Sequence, residues 1–468
     1  MSSQTPMQTQ NSPKTTTPSG FLIRCALVAA LGGLLFGFDT CVISGAQGQL
    51  KELFQLGGFK QGFMVSSALI GTIIGCFAAG KPGDVFGRRK SLIACAILFL
   101  VSAIGCAFAW DFWSLTVFRF IGGLGIGGST VICPTYLAEI SPAQHRGRLG
   151  AFFQFNIVLG ILVAFLSNYL IGLAGAGDHE WRWKLGVGAV PAFAFWMLLS
   201  LIPESPRWLV MRGRDAEAEK IFGLTGVADA AQQVADVRDS IRAESAAAAA
   251  NRAEPLFQKI HAMPIFLAFS IAAFNQLSGV SALLYYLNPI FSMAGFGKAS
   301  GDLQSVAVGA VNLVFTMVGM AIIDKVGRKP LLLACAVGTG LCLFGVASIF
   351  TVNQHHGALV WLLMGFITCH AFGQGAVIWV FISEIFPNSV RSKGQAFGSA
   401  THWVFAAAIN FLFPVFAKTA GEPGAGIPFY FFAAMMVLQV IVVARYFPET
   451  KGVPLEEMQA RLTRKKTT

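Results

Sequence analysis

Charge is scarce in this chain of 468 residues: Asp, Glu, Lys and Arg make up 12% of it, about half of the ~25% typical of a soluble domain. That excludes an ordinary water-facing globule. Cysteine builds no framework either. The nine present stand singly inside apolar segments without metal-like spacing, so neither a zinc site nor a set of disulfides is expected. No Gly-rich phosphate loop ends in Gly-Lys-Ser or Gly-Lys-Thr, which excludes ATP as an energy source. No nucleophile–base pair or metal cluster stands out, so the chain does not read as an enzyme, and no cofactor or metal is implied. Residues 1–20 are rich in Ser, Thr, Gln and Pro and lack the basic-then-apolar order of a signal peptide. They read as a disordered tail.

What is present in excess is apolar. Hydrophobic residues make up 55%, and mean hydropathy is +0.64. They come in long runs with few or no ionised groups, such as 91–109, 151–171, 185–202 and 427–447. Crossing a bilayer core as a helix takes about 20 apolar residues, and in hydrocarbon the backbone must satisfy its own hydrogen bonds. The expectation is an all-α polytopic membrane protein in the lipid bilayer. Its twelve helices fall near 21–45, 62–82, 90–110, 112–137, 148–171, 182–202, 262–293, 303–323, 330–351, 357–383, 393–417 and 426–447. The divisions are a tail at 1–20, a six-helix half at 21–202, a polar linker at 203–258, a second half at 259–447 and a tail at 448–468. Glu-Ala-Glu-Lys at 217–220 and five alanines at 246–250 give the linker short surface helices.

The net charge of +11 does not point to nucleic acid, because the basic residues sit between apolar runs as topology signals. Lys81, Arg88, Arg89, Lys90, Arg146, Arg148, Lys325, Arg328, Lys329, Arg391 and Lys393 occupy alternate loops. The loop between helices three and four has Asp111 and no Lys or Arg. Both termini and the linker are therefore expected in the cytoplasm.

The chain also repeats itself. Gly83-Asp84-Val85-Phe86-Gly87-Arg88-Arg89 is echoed by Asp324-Lys325-Val326-Gly327-Arg328-Lys329. Glu139, Pro142 and Arg146 recur as Glu384, Pro387 and Arg391, and Pro203-Glu204-Ser205 recurs as Pro448-Glu449-Thr450. Three echoes in the same order mean one duplicated unit. Parallel six-helix repeats around a central cavity are a carrier architecture.

These motifs, together with Gly-Gly-Leu-Leu-Phe-Gly-Phe-Asp (32–39), Arg119 before Gly122-Gly123, Pro134-Thr135-Tyr136-Leu137-Ala138-Glu139, Pro206-Arg207-Trp208-Leu209, Gln276-Leu277-Ser278-Gly279, Tyr285-Tyr286 and Lys451-Gly452, span about residues 22–455. In this the chain resembles the sugar porter family of the major facilitator superfamily, including bacterial proton–monosaccharide symporters and glucose facilitators. The resemblance implies two pseudo-symmetric six-helix bundles, functional as a monomer in the plasma membrane, that carry a hexose or pentose by alternating access. The proton-coupled form is the expected one; an uncoupled facilitator is the nearest rival, and a sugar sensor a more distant one.

A sugar needs amides and hydroxyls at mid-membrane and flat aromatic faces for its C–H groups. Gln154, Gln276, Asn312, Trp379 and Trp403 stand in apolar runs and match sugar-contacting positions of the family. Asn275, where the family often has glutamine, keeps the amide but loses a methylene, and with Ser281 in helix seven is expected to join them. Ser281 stands where resembling proteins use asparagine, and Ala406 where glucose facilitators are polar, so the pocket is expected to differ in hydrogen bonding. Asp39 matches the helix-one aspartate of proton-coupled members and Arg119 its partner, and the two are expected to couple the proton, with a structural ion pair that tethers two helices as the alternative. Gly188 stands at a position that is acidic in the proton–xylose symporter. His370 and His402 read as packing or gate residues, with a proton-carrying role as the alternative. Tyr285 and Tyr286 are expected at the extracellular gate. Asp84, Arg88, Arg89, Glu139, Arg146, Glu204, Asp324, Arg328, Glu384, Arg391 and Glu449 are expected to form an inter-half salt-bridge network that closes the cytoplasmic side.

Overall fold

The computed structural model describes residues 19–462 apart from 143–144, 228, 252–254, 388, 454–456 and 459–460. The tail expected at 1–20 thus lies almost wholly outside the described residues, as do the last six residues of the 448–468 tail and the side chain of Arg146.

The first half runs through α1 (Gly20–Leu53), α2 (Gly58–Phe86), α3 (Arg88–Ala107), α4 (Phe112–Ile140) and α5 (Arg146–Ala174). Its sixth crossing is split into α6 (Glu180–Gly186) and α7 (Ala189–Leu199). Three helices follow outside the bundle: α8 (Pro206–Met211), α9 (Asp215–Leu224) and α10 (Ala230–Asn251). The second half opens with α11 (Ala262–Leu277), α12 (Val280–Tyr285) and α13 (Leu287–Met293), then α14 (Lys298–Val326) and α15 (Arg328–Val352). Next, α16 (Gly357–His370) passes through a π-helical turn, Ala371–Gly375, into α17 (Ala376–Ile385). It ends with α18 (Arg391–Phe416) and α19 (Ile427–Tyr446). Eleven segments among the described residues are long and apolar enough to cross a membrane; the twelfth crossing is α6 with α7. Large apolar side chains such as Ile74, Phe77, Leu341 and Phe344 are exposed on the outer faces, where lipid, not water, is the natural solvent.

Two expectations change. The linker helices are not all short: α10 runs 22 residues, because no Gly or Pro interrupts the alanine-rich stretch from 230 to 251. The seventh crossing, expected as one helix over 262–293, is broken in two places. Gly279 takes φ +83°, and a Cβ there would lie 2.5 Å from the Phe432 ring, so only glycine allows this turn. Broken helices at mid-membrane free backbone groups where a pocket is lined.

Packing follows the repeat. Within the halves, α1 lies on α5 as α11 lies on α18. Between them, α2 meets α18 and α5 meets α14. Since α14 is the counterpart of α2, and α18 of α5, the two contacts are images of one another across a pseudo-twofold axis.

Candidate functional site

The broken seventh crossing sets up the centre of the molecule. Gln276, buried at the end of α11, donates through Nε2 to Asn275 Oδ1 at 3.1 Å, and its Oε1 accepts from the Ser281 hydroxyl. The Gln276 amide nitrogen also lies 3.2–3.3 Å from the ring nitrogens of His402. That imidazole sits between two indoles, with ring centroids 5.1 Å from both Trp379 and Trp403. Trp403 then reaches Phe36 of the first half at 5.7 Å. Asn275, Gln276, Ser281, Trp379 and Trp403 are thus brought into one cluster, and Trp379 remains 41% exposed within it. Asn312, buried on α14, accepts from Thr316 at 3.5 Å. Half-buried Gln154 is on α5, which packs against α14; among the described residues no hydrogen bond ties either of them to the cluster. His402, read from sequence as packing, stands at its centre. His370 is buried with Nδ1 3.5 Å from the Ser278 hydroxyl and ring-stacked on Phe366.

Asp39 on α1 and Arg119 on α4 meet at 3.6 Å, Nη2 to Oδ2, with the arginine only 1% exposed. They line a small cavity with Phe38, Ser102, Cys106 and Gly188. Arg119 Nε and Nη2 and Asp39 Oδ2 make no hydrogen bond within the protein. A long, under-bonded pair inside a helical bundle is costly to keep and free to change partners.

At the end that carries the Gly-Arg-Arg loop, the sequence repeat becomes a geometric one. Gly87 and Gly327 take φ +98° and +103°. The space where a side chain would start is filled by Glu204 in one half and Glu449 in the other. Glu204 accepts from the Arg88 and Arg89 N–H groups at 2.8 and 3.1 Å, and Glu449 accepts from those of Arg328 and Lys329 at 3.0 Å each. Each glutamate thus caps the N-terminus of the helix that follows. Arg88 forks onto Glu139 with two bonds of 2.9 Å and reaches Asp84 at 3.0 Å. Arg328 does the same with Glu384 at 3.2 and 2.8 Å and with Asp324 at 3.0 Å. Ser205 and Thr450 complete the matching sites, donating to Glu139 and Glu384 at 2.6 Å. Arg89 and Lys329 cap the ends of α7 and α19 through the carbonyls of Leu199, Ser200 and Ala444.

These pairs all stay within their own half in this conformation. Arg391 donates to Phe386 O at 3.4 Å, and its Nη2 has no partner. Burial alone would lift the Glu449 carboxyl, but the N–H groups of Lys451, Arg328, Lys329 and Thr450 together hold it below the ordinary value.

The polar ties between the halves gather at the other end. Ser44 Oγ donates to Asn288 Oδ1 at 2.9 Å, and Gln47 Nε2 to Tyr285 O at 2.7 Å. Lys184 pairs with Asp302 at 3.3 Å, and Lys298 with Glu180 at 2.5 Å. Tyr285 and Tyr286 are both buried here, and the Tyr286 hydroxyl donates to Asn410 O at 2.8 Å. Sequence reading missed Glu180, Lys184, Lys298 and Asp302.

Two helical halves, tied together at one end and carrying a cluster of amides and indoles, define a membrane carrier. The sequence comparisons give the family: the one described as "Sugar (and other) transporter" matches residues 25–462, and the chain belongs to it, within the major facilitator superfamily. It is 36% identical over 463 residues to an arabinose-proton symporter of Bacillus subtilis, covering 97% of this chain and 98% of that one. It is 34% identical to the D-xylose-proton symporter of Escherichia coli K12, covering 94% and 96%. Among solved structures, the inward-open form of the xylose transporter XylE from E. coli superposes with a TM-score of 0.83 at 32% identity, over 94% of this chain and 100% of that one. The form bound to 6-bromo-6-deoxy-D-glucose gives 0.76 at the same identity, over 94% and 99%.

Proposed function

We propose that this chain is a proton–monosaccharide symporter of the plasma membrane that carries a pentose or hexose by rocking its two halves about the central pocket. The observation that carries the reading is Asp39 set against Arg119 at 3.6 Å, lining a small cavity inside the first half. A carboxylate that a buried guanidinium grips loosely can take a proton in one state and release it in another. The names of the relatives, which pair a proton with arabinose or xylose, support the same reading.

The basic loops assign the Gly-Arg-Arg end, the linker and both termini to the cytoplasm. On that assignment the halves are fastened at the extracellular end, Tyr285 and Tyr286 belong to that gate, and the state is inward-open. The charged residues at the other end then serve the cytoplasmic gate. Asp84, Arg88, Arg89, Glu139, Glu204, Asp324, Arg328, Glu384 and Glu449 shape each half's rim, and Arg391 and Arg146 reach across when the rims close. Gln154, Asn275, Gln276, Ser281, Asn312, Trp379 and Trp403 hold the sugar.

Asp39→Asn tests coupling, since it fixes a neutral group of the same shape. In proteoliposomes, exchange of labelled sugar persists while accumulation and sugar-induced alkalinisation disappear. Accumulation by the variant would remove Asp39 from the coupling path, and absence of proton uptake in the wild type with every transported sugar would leave a uniporter. Gln276→Ala tests the pocket: sugar affinity falls by at least about tenfold, because a buried sugar hydroxyl loses its partner. An unchanged affinity for every substrate would place the site elsewhere.

A further inference from the structure

We infer that four charges, Glu180 and Lys184 of the first half and Asp302 and Lys298 of the second, form a buried latch that holds the halves together at the end away from the Gly-Arg-Arg loop and sets how readily that end opens. The inference rests on the alternating-access reading above.

Lys184 is the pin. Its side chain is 0% exposed, and a lysine that deep survives only if its charge and its donors find partners. It donates to Gly45 O of α1 at 3.1 Å and to Asp302 Oδ2 of α14 at 3.3 Å, and it is ion-paired with Glu180 Oε1 at 2.7 Å. Asp302, with a side chain only 3% exposed, accepts through its other oxygen from Asn288. Asn288 in turn meets Ser44 of the first half at 2.9 Å and Ser305 at 3.3 Å. The chain of contacts therefore crosses from one half to the other twice. Lys298 closes it on the outside, reaching Glu180 from a half-exposed position. The backbone leaves room for it: a Cβ on Gly172 of α5 would lie 3.0 Å from Asp302 Oδ2 and 3.9 Å from Lys184 Nζ.

The charge arrangement distinguishes a latch from a permanent brace. Glu180 and Lys184 are one turn apart on the same helix and neutralise each other, and Asp302 and Lys298 do the same on α14 by sign. Parting the halves breaks Lys184–Asp302 and Lys298–Glu180 but leaves each half with no net charge. A buried pair whose partners separate for good would strand an ion. This one comes apart into two neutral pairs, so opening requires only the loss of the cross-contacts.

The test reads accessibility without sugar, so it fails separately from the substrate assignment. A reporter cysteine replaces Thr40, buried on α1, and an impermeant thiol reagent is applied from the side of the latch, where Gly177–His179 joins α5 to α6, with labelling of the nine native thiols subtracted. Asp302→Asn removes the cross-charge while Lys184 keeps Glu180. Labelling speeds up about tenfold, the scale of one charge-assisted contact, and labelling from the opposite side slows. Lys298→Gln, at a half-exposed site that folding does not depend on, gives the same two changes at about twofold, as expected of a weaker, partly solvated pair. It decides the matter if Asp302→Asn does not accumulate. Rates equal to the parent from both sides overturn the latch, as does a loss of thermal stability with no change in the ratio of the two rates.

Discussion

The two ends of the molecule spend the same residue types on opposite tasks. At the Gly-Arg-Arg end, Arg88 and Arg328 satisfy Glu139 and Glu384 of their own halves. At the other end, Lys184 and Lys298 satisfy Asp302 and Glu180 of the facing half. The lesson is that ion pairs in a carrier are read by which rigid body each partner rides on, not by how many there are. Pairs inside one body fix its shape and are indifferent to the state of the cycle. Pairs between bodies choose the state.

This contrast is strongest in a comparison of stability. Arg88→Ala strands Glu139, whose side chain is only 9% exposed, and should cost about 3–5 kcal/mol of stability. Arg328→Ala strands Glu384, which is 25% exposed, and should cost less, about 1–3 kcal/mol. Thermal unfolding in detergent orders the two. Equal losses, or none, would mean that the rims are not internally braced.

The next effect is one of state rather than stability. Arg391 keeps a donor without a partner in this conformation, and it is proposed to cross to the first half when the cytoplasmic rims meet. Arg391→Ala should favour the inward-open state by about 1–3 kcal/mol. Net uptake falls while binding of an inward-side inhibitor holds or strengthens. Unchanged transport would put Arg391 with the solvated loop charges.

The smallest effect is one of pH. Glu449 is held below the ordinary carboxylate value by backbone donors outweighing its burial. A lowered folded pKa adds stability above the unfolded pKa of about 4.3, and that stability is lost as pH falls through the folded value. Unfolding temperature measured from pH 7 down to 3 should therefore fall less steeply in Glu449→Gln than in the parent. Parallel curves would show that the cap does not titrate with folding.

Much of the braced end was legible in the sequence, because it is written in short local motifs and written twice. The Glu139–Arg88 and Glu384–Arg328 pairs come from echoes that any reader can align. That they close within each half was not legible, since spacing along the chain does not say which body a partner moves with. The latch left no sign at all. Lys184 and Asp302 are 118 positions apart, they fall in different crossings of the two repeats, and neither belongs to a repeated motif. A charge near a helix end reads as a topology mark until the fold places another opposite it. The amide–indole cluster lay in between. Gln276, Trp379 and Trp403 stood out as polar or aromatic residues in apolar runs, and the structure brings them together around His402. The place of His402 among the amides and indoles was not legible because a lone imidazole carries no pattern, nor was the break at Gly279, because one glycine in an apolar run rarely stops a helix.

The twin caps carry a consequence for how such a chain could arise. A six-helix unit that seats Glu204 against Gly87, and grips Glu139 with Arg88, meets these rim charges without help from a neighbour. A second copy can be spliced on, as Glu449, Gly327, Glu384 and Arg328 record, without any new contact having to be invented there. The polar ties that join the two bundles in this conformation lie instead at the far end, where the copies no longer match.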